Sequence, residues 1–436
     1  MTGTSQPIRR PLRVLLVSQY LDKGGAARAA LRVFRALKLV ENDTGVYPTL
    51  RVIRGATSEP GIISGLPPKI RFPWVYWMKV HLSRLDSRYL FRGAQPGLHS
   101  VAAVRSGLAE EINAGGYDLV NLHWLGDATL SIEEIGEIEP PVVWTLHDMW
   151  VFSGAEHQSS SRRFVEGYTP TNRPAGEKGL DVNRRTWRRK VRAWRKDVHV
   201  IAPSEWIAEQ ASESALLNSG CRTVIPHPLD VSTWTPRPGA GPKLTPTEFP
   251  DQPLRIGFGM DRGAKWWVKG VDRIPEIAEE LSGHPALQSR AIEFWFFGGA
   301  IPGQQVEGVT FRNFGPLDDG GLVEFFRGLD VVCVPSRLET FGLVAAEAIS
   351  CGVPVVGFRD TGVASVVRHL QTGYLAEWGN FRDIAEGIAW LLKDPKVHRE
   401  LSRNCRIYAL NTWGPSRIGA LYAALFREIL DRHKGN

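Results

Sequence analysis

Paired cysteines are missing from this sequence. Its four cysteines, Cys221, Cys333, Cys351 and Cys405, are scattered along the chain and form no CxxC motif. That scatter argues against a structural zinc site and against the disulfide framework of a small secreted domain. We therefore expect a protein of a reducing compartment, the cytoplasm.

A long apolar run is missing as well. The first residues, MTGTSQPIRRP, lead directly into LRVLLVSQY. A signal peptide would show an apolar segment of about 7 to 15 residues before a cleavage site, and a membrane span would need roughly 20 apolar residues. We expect a chain that is neither secreted nor integral to a membrane.

Basic residues outnumber acidic ones, which gives the 436-residue chain a formal net charge of +7. This charge indicates an anionic partner, but it does not distinguish among a nucleic acid, an anionic membrane and a phosphorylated small molecule. Hydrophobic residues make up 43% and charged residues 23%, as in an ordinary globular protein. The length exceeds that of one ordinary core, so two domains of about 200 residues each are predicted.

Short β-rich runs alternate with helical patterns from Leu12 onward, and the same alternation restarts after residue 250 with LRIGFGM, IEFWFFGG, LDVVCVPS and GVPVVGF. It is typical of βαβ units and a parallel sheet. We predict an α/β protein with two Rossmann-like domains that face one another across a cleft. The predicted boundaries are 1–228 for the first domain, with a basic insertion at about 154–196, 229–252 for a linker, 253–415 for the second domain, and 416–436 for a C-terminal helix that packs back on the first.

Two segments of the first domain interrupt this regularity. Residues 67–92 mix Trp74, Tyr76, Trp77 and Met78 with basic side chains, and the insertion ends in RRTWRRKVRAWRK. Apolar rings flanked by cations are typical of a segment that meets an anionic lipid surface. The alternative, a helix packed on the core with solvated charges, is left open by the pattern.

The most informative segment is LDVVCVPSRLETFGLVAAEAISCGVPVVGF, which predicts a strand, a loop with Glu339, and a helix from about Gly342 that carries Glu347. Residues 342 to 347 of a helix rise roughly 7 Å, comparable to the separation of sugar and ribose across a diphosphate. The amides of Phe341, Gly342 and Leu343 would lie at the helix N-terminus, which favours phosphate oxygens. The alternative is that Glu339 only counters the helix dipole and Glu347 is a solvated residue.

The string SRLETFGLVAAEA resembles the E-x7-E element of the retaining family-4 glycosyltransferases, which have the two-domain GT-B fold. The likeness is nearest to the bacterial exopolysaccharide members of the colanic acid type. It implies that Glu339 approaches the hydroxyls of the donor sugar and that Glu347 binds the ribose of the nucleotide. Thr340, Phe341, Gly342 and Leu343 between them would contact the donor.

Two segments of the first domain also resemble family motifs. LDKGGAARAA is similar to the Gly-rich first loop, where Gly24 and Gly25 would pass close to donor phosphate and acceptor, with Arg28 on the acceptor side. VVWTLHDMWVFSG resembles the segment with the site histidine, which places His147 at the end of a strand. His123 in NLHW and Asp148 are its companions on the acceptor side.

In the second domain, FGMDRGAKWWVKGVD resembles the loop whose Arg and Lys bind the diphosphate. Lys269 matches the lysine, and either Arg262 or Lys265 matches the arginine. With no DxD motif at a strand end, the resemblance implies that these cations stabilise the leaving group without a metal. His147, Lys269 and Glu339 are the expected catalytic residues.

Some positions depart from the family pattern. Pro226-His227-Pro228 stands where many members have Pro-Asn-Gly in the hinge, and Ser365 stands where an acidic residue often follows the later Gly-rich loop. The segment after His147 has none of the cysteines that the exopolysaccharide relatives often carry.

The resemblance implies a retaining, metal-independent glycosyltransferase of bacterial surface polysaccharide synthesis, without a cofactor. It would transfer a sugar from a nucleotide-diphosphate sugar to a glycan or a lipid-linked oligosaccharide, in the cytoplasm or on the inner face of the membrane. A GT-B sugar-nucleotide epimerase or a glucan synthase is the nearest alternative. A basic nucleic-acid-binding protein is the alternative of another class, although the E-x7-E segment would then have no explanation.

Overall fold

Two parallel sheets contain the strands of the described chain, and each sheet belongs to its own unit. The computed structural model describes residues 10–90, 98–126, 128–194, 198–217, 220–237, 252–259, 266–287, 290–299 and 306–435. The N-terminal unit comprises Met1–Ala202, Ala208–Pro228 and Pro415–Asn436. The C-terminal unit comprises Pro203–Ile207 and Leu229–Gly414.

The sheet of the N-terminal unit has seven strands in the order β3-β2-β1-β4-β5-β6-β7, all paired in parallel. The order reverses between β1 and β4, and in open α/β sheets ligands bind outside the carboxyl ends of the strands at such a point. The strands are β1 (Leu12–Tyr20), β2 (Val46–Arg54), β3 (Ile62–Ser64), β4 (Leu119–Leu122), β5 (Val142–Thr145), β6 (His199–Ala202) and β7 (Arg222–Val224).

Eight α-helices and a 3₁₀ helix (Trp150–Phe152) precede the second sheet in the described chain. α1 is rich in alanine and leucine and buries one face, whereas α5 begins with a capping box in which Ser131 and Glu134 satisfy each other's backbone amides. The helices are α1 (Gly25–Leu39), α2 (Glu41–Thr44), α3 (Pro73–Leu90), α4 (Leu108–Ala114), α5 (Ile132–Gly136), α6 (Arg163–Glu166), α7 (Val182–Ala193) and α8 (Glu205–Glu213).

The sheet of the C-terminal unit has six parallel strands in the order β10-β9-β8-β11-β12-β13. Its strands are β8 (Leu254–Gly259), β9 (Ile292–Phe297), β10 (Val309–Asn313), β11 (Val331–Val334), β12 (Val355–Phe358) and β13 (Gly373–Ala376). The helices from this region on are α9 (Trp266–Lys269), α10 (Ile274–Ser282), α11 (Asp319–Gly328), α12 (Leu343–Ser350), α13 (Phe381–Lys393), α14 (Pro395–Thr412) and α15 (Pro415–Gly435).

Both faces of the second sheet are covered. Residues of α10 and α13 pack with β8 and β9 in one buried cluster, and residues of α11, α12 and α14 pack with β11 in another. Parallel sheets are covered in this way because their crossover helices lie on the faces. The predicted α/β class with two Rossmann-like units is therefore confirmed.

The last helix, α15, packs against α1 in the N-terminal unit. Its buried residues Ile418, Tyr422 and Phe426 share a core cluster with Phe34 and Leu37 of α1. Among the helices that the structure describes, none combines the length and the apolar character needed to cross a membrane.

The contact between α15 and α1 leaves no room for a side chain at Gly419. A Cβ atom there would lie 2.2 Å from the carbonyl oxygen of Ala36. Gly419→Ala should therefore destabilise the N-terminal unit by about 1–2 kcal/mol, because forced overpacking outweighs the roughly 1 kcal/mol that alanine gains in a helix. Calorimetry should show its melting temperature lowered by about 2–8 °C.

Gly414→Ala is the matched control, since its Cβ would meet only the Leu410 carbonyl oxygen at 3.9 Å. It should leave the melting temperature unchanged. Equal effects of the two substitutions would contradict the proposed steric cause.

Candidate functional site

The loop after β11 and the start of α12 form the first part of the candidate site. Gly342 is the N-cap of α12 with φ 97°, a left-handed conformation that favours glycine. A Cβ at Gly342 would lie 3.3 Å from the side chain of Val363, so the backbone is closely approached there. No side chain caps this end and no acidic residue lies in its first turn, so the amides and the positive end of the helix dipole are suited to an anion.

Glu339 lies in this loop and is bonded to Lys269. The Lys269 ammonium donates a hydrogen bond of 2.6 Å to a carboxylate oxygen of Glu339, and the two side chains are 34% and 16% exposed. The Glu339 carbonyl also accepts a 2.7 Å hydrogen bond from the amide of Gly362. The structure thus brings two of the predicted catalytic residues into direct contact.

The backbone around Gly270 explains how Lys269 reaches Glu339. The amide of Arg337 donates to the carbonyl of Val268 at 2.8 Å, which ties the loop after β11 to α9. Gly270 has φ 69°, and a Cβ there would lie 2.0 Å from the carbonyl oxygen of Pro335. The Gly that follows Lys269 is therefore required by a close backbone approach.

Arg337 and Asp272 form an anchor that the sequence reasoning missed. Arg337 is 7% exposed and donates to both carboxylate oxygens of Asp272 at 2.7 and 2.9 Å and to the carbonyl of Trp267. A bidentate pair with a buried arginine is among the stronger ionic contacts, although the Asp272 side chain is 34% exposed. The sequence offered one indication of this anchor, because Arg337 is two positions from Glu339 and Asp272 is three positions from Lys269.

Glu347 lies in α12 and is only 3% exposed. The alternative that it is a solvated helix residue is therefore wrong. Phe341 is also buried, so a donor would meet its backbone rather than its ring, while Thr340 and Leu343 are half-buried. Arg262 and Lys265, the two candidates for the second phosphate cation, lie outside the described residues.

In the N-terminal unit, three histidines from separate strand ends form a stack. His123 follows β4, His147 follows β5 and His227 follows β7. The Nδ1 atom of His123 lies 2.9 Å from Nε2 of His147, and the rings of His147 and His227 are 5.1 Å apart at an interplanar angle of 18°. His227 was noted in the sequence only as a departure from the hinge pattern, so its place in this stack was missed.

The stacked histidines are neutral at neutral pH. Burial lowers the pKa of His147 to about 4, although the nearby Asp148 charge opposes this change. Burial, and then the charge of His147, lower the pKa of both His123 and His227 well below the ordinary value. The cluster therefore offers hydrogen-bonding imidazoles rather than positive charge.

Asp148 is held by several donors of the protein. One of its oxygens accepts from the Trp124 indole at 2.8 Å and lies 2.5 Å from Nδ1 of His157, and the other accepts from the Trp150 amide at 2.9 Å. Burial would raise the pKa of Asp148, but the charge and hydrogen bond of His157 outweigh it and lower the pKa. These bonds make Asp148 an anchor of the turn that begins at His147.

The Gly-rich turn precedes α1. Gly24 is the N-cap of α1 with φ 86°, no side chain caps this end, and Gly25 is the first helical residue. Arg28 lies in the first turn and is half-buried.

Within the described ranges, no group of three or more His, Cys, Asp or Glu residues has the geometry to hold a metal ion.

The histidine stack predicts a loss of stability in mild acid. Above about pH 6.5 these side chains are neutral in both states, but between about pH 6.5 and 4 the unfolded chain takes up protons that folded His147 does not. The free energy of unfolding should thus decrease as the pH is lowered through this window, by up to about 1.4 kcal/mol per pH unit for each histidine. Urea denaturation from pH 7.5 to 5 should show a shallower slope for His147→Asn.

The exposed His433, replaced by Asn, is the control and should leave the slope as in the wild type. If His147→Asn keeps the wild-type slope, the assignment of a lowered pKa to His147 is wrong.

Comparisons with known proteins agree with this geometry. Residues 307–409, which include β11, α12 and both glutamates, match the family model described as "Glycosyl transferases group 1". The D-inositol 3-phosphate glycosyltransferase of Pseudarthrobacter chlorophenolicus is 27% identical over 368 residues, 78% of each chain. The N-acetyl-alpha-D-glucosaminyl L-malate synthase of Bacillus anthracis is 35% identical over 109 residues, 25% of this chain and 29% of that protein.

Among solved structures, HepE from Anabaena in complex with UDP-glucose has a TM-score of 0.60 and 17% identity, covering 96% of this chain and 100% of that one. This likeness concerns the fold alone. The sequence matches support transfer of a glycosyl group. The predicted resemblance to glycosyltransferases of GT-B fold is therefore confirmed, whereas the nearer likeness to members of the colanic acid type stays a prediction.

Proposed function

We propose that this chain is a retaining, metal-independent glycosyltransferase that uses a nucleotide-diphosphate sugar as donor. The observation that carries the proposal is the bonded pair of Lys269 and Glu339 beside the uncapped N-terminus of α12. A cation and the amides of a helix N-terminus suit a diphosphate, and a carboxylate suits sugar hydroxyls. HepE, which shares the fold, has been solved with UDP and glucose and with UDP-glucose.

The proposed mechanism requires no nucleophilic side chain of the protein. The bond between the anomeric carbon and the leaving oxygen breaks, and the departing diphosphate accepts the proton of the acceptor hydroxyl that attacks from the same face. Lys269, with Arg262 or Lys265, stabilises the charge that develops on the diphosphate. Glu347 holds the ribose, which is the same before and during the reaction.

The proposal assigns the acceptor side to the N-terminal unit, with Gly25, Arg28, His123 and Asp148, and assigns His147 to the reacting sugar. Since burial lowers the pKa of His147 to about 4, this residue would act as a neutral hydrogen-bonding partner of a hydroxyl. The acceptor would be a hydroxyl of a glycan or a lipid-linked oligosaccharide in bacterial surface polysaccharide synthesis. The enzyme would act in the cytoplasm, as a peripheral protein on the inner face of the membrane.

A sugar-nucleotide epimerase or a glucan synthase of the same fold would use the same donor contacts. Product analysis separates them, because an epimerase releases an altered sugar or sugar nucleotide without any acceptor, and a glucan synthase extends a polymer. The nucleic-acid-binding alternative predicts affinity for nucleic acid that falls steeply with salt and no tight binding of a nucleoside diphosphate.

Calorimetry with UDP as probe, together with turnover of the full donor, tests the roles of Lys269 and Glu339. Lys269→Ala should weaken UDP binding and lower turnover further, because the charge it meets increases as the bond breaks. Glu339→Gln should bind UDP as tightly as the wild type or up to about fivefold more tightly, since a partly exposed ion pair that competes for Lys269 is worth roughly 0.2–1 kcal/mol. Its turnover should nevertheless fall about 10- to 100-fold, as expected for a lost charged hydrogen bond to the sugar.

Lys393 in α13 is an exposed cation of the same unit, and Lys393→Ala should change neither measurement. Wild-type turnover in Glu339→Gln would contradict the assignment of Glu339 to the sugar.

Glu347→Ala should raise the KM for the donor and leave kcat nearly unchanged, because a ribose contact is made equally in the ground state and in the transition state.

A further inference from the structure

Helix α3 of the N-terminal unit is apolar on two opposite faces. Its inner face is anchored by Tyr76 and Val80, which are 5% and 2% exposed, and the Tyr76 hydroxyl donates to the carbonyl of Ala128 at 2.8 Å. This anchoring fixes the orientation of the helix. The alternative that α3 only packs on the core therefore describes one face.

The outer face leaves large apolar side chains in solvent. Trp74, Met78 and Leu82 are 68%, 47% and 51% exposed, and Phe72 just before the helix is 63% exposed. Positions 74, 78 and 82 are four apart and therefore lie on one side of a helix. Single exposed apolar residues are ordinary in soluble proteins, but a contiguous row of this size marks an interaction site.

Cations accompany this row. Arg71 and Lys79 are exposed, and neither forms an ion pair with the residues that the structure describes. They line a solvent-open hollow of about 580 Å³ together with Ile70, Phe72, Val75 and Lys69. Lys69 and Arg105, also at this hollow, are paired with Glu110 and Glu137, so Arg71 and Lys79 supply its uncompensated charge.

Helix α7 of the basic insertion approaches the same hollow. Arg189 donates to the carbonyls of Val101 and Ala102, directly before the residues Ala103, Val104 and Arg105 that line the hollow. The exposed Arg185, Arg188 and Arg192 are one or two turns apart on α7 and form no ion pair within the described ranges. The surroundings of the hollow are thus strongly basic.

We propose that Phe72, Trp74, Met78 and Leu82 with Arg71 and Lys79, here called the α3 docking face, bind an anionic phospholipid bilayer. Aromatic and aliphatic side chains reach into the boundary between headgroups and acyl chains, while neighbouring cations meet lipid phosphates. Charge complementarity selects this occupant, because a neutral apolar partner would leave Arg71 and Lys79 without counter-charges. The inference deepens the proposed function by placing the enzyme where a lipid-linked acceptor lies. Only this link to the acceptor rests on the proposed function.

Co-sedimentation of the full chain with vesicles tests the proposal without donor or acceptor. The wild type should bind vesicles of phosphatidylcholine with 30% phosphatidylglycerol, bind pure phosphatidylcholine much more weakly, and dissociate as salt is raised. Arg71→Gln with Lys79→Gln should weaken binding about 25-fold, from about fivefold for each cation near an anionic surface. Phe72→Ser with Trp74→Ser should abolish binding even at low salt.

Matched controls are available on surfaces elsewhere. Leu39→Ser removes a side chain that is 64% exposed at the end of α1, and Lys393→Gln removes an exposed cation of the C-terminal unit. Both should bind as the wild type does. If the wild type does not bind anionic vesicles, or if the control and docking-face substitutions weaken vesicle binding equally, the proposal is wrong.

Insertion itself can be measured with a fluorophore. Cys221 is exposed and the other three cysteines are buried, so Cys221→Ser allows labelling at a single introduced cysteine. The fluorescence emission of a polarity-sensitive label at Trp74→Cys should shift to the blue when anionic vesicles are added. The emission of the same label at Leu39→Cys should not shift. No shift at position 74 would overturn insertion.

The other occupants and the proposed function are separated by two further measurements. Sedimentation velocity without lipid that shows a wild-type dimer, lost in Phe72→Ser with Trp74→Ser, together with absent vesicle binding, would assign this face to a second copy of the chain instead. Calorimetry with UDP on the same variants should be unchanged. Loss of vesicle binding with retained UDP binding in these variants therefore supports the docking face. A wild type that does not bind UDP would instead contradict the proposed function.

Discussion

The close approach of two backbone segments at Gly270 is the constraint on which the candidate donor site depends. A Cβ at this position would lie 2.0 Å from the carbonyl oxygen of Pro335, so only glycine lets α9 reach the loop after β11. The same approach brings Val268 within a hydrogen bond of Arg337 and Lys269 within 2.6 Å of Glu339. Because Asp272 then fixes Arg337 from the other side, the position of Lys269 is determined by backbone geometry and one ion pair rather than by the flexible lysine side chain.

The N-terminal unit handles buried polar groups in two different ways. The stacked imidazoles of His123, His147 and His227 avoid the cost of buried charge by remaining neutral, which is why burial lowers the pKa of each. Lys190 is fully buried too, and burial lowers its pKa well below the ordinary value, while its side-chain nitrogen donates to the carbonyls of Trp150, Ser153 and Gly154. This lysine supports the segment after His147 from within the insertion. A segment that reads as surface charge in the sequence thus contributes to the core.

Local patterns predicted the parts of the structure that depend on neighbours in the chain. Alternating runs identified the two parallel sheets, and glycine before an apolar run located the start of α12. Pairing between distant segments was not predictable in this way. The anchor of Arg337 with Asp272 and the contact of His227 with His147 join residues 65 and 80 positions apart, and no periodicity encodes such contacts. The roles of Glu339 and Glu347 come from resemblance, and their burial is what the structure adds.

Where charge lies matters more than its sum. A net charge of +7 is compatible with several partners, yet the basic residues of this chain do different things. Arg163 is buried with Asp181, Lys190 is buried among carbonyls, and Lys269 is bonded to Glu339, so none of them faces a distant macromolecule. Arg71 and Lys79 differ because they are exposed and lie beside apolar side chains that are exposed as well. A nucleic acid would be expected to meet cations along a polar groove, whereas cations beside an apolar row match the two layers of a lipid surface.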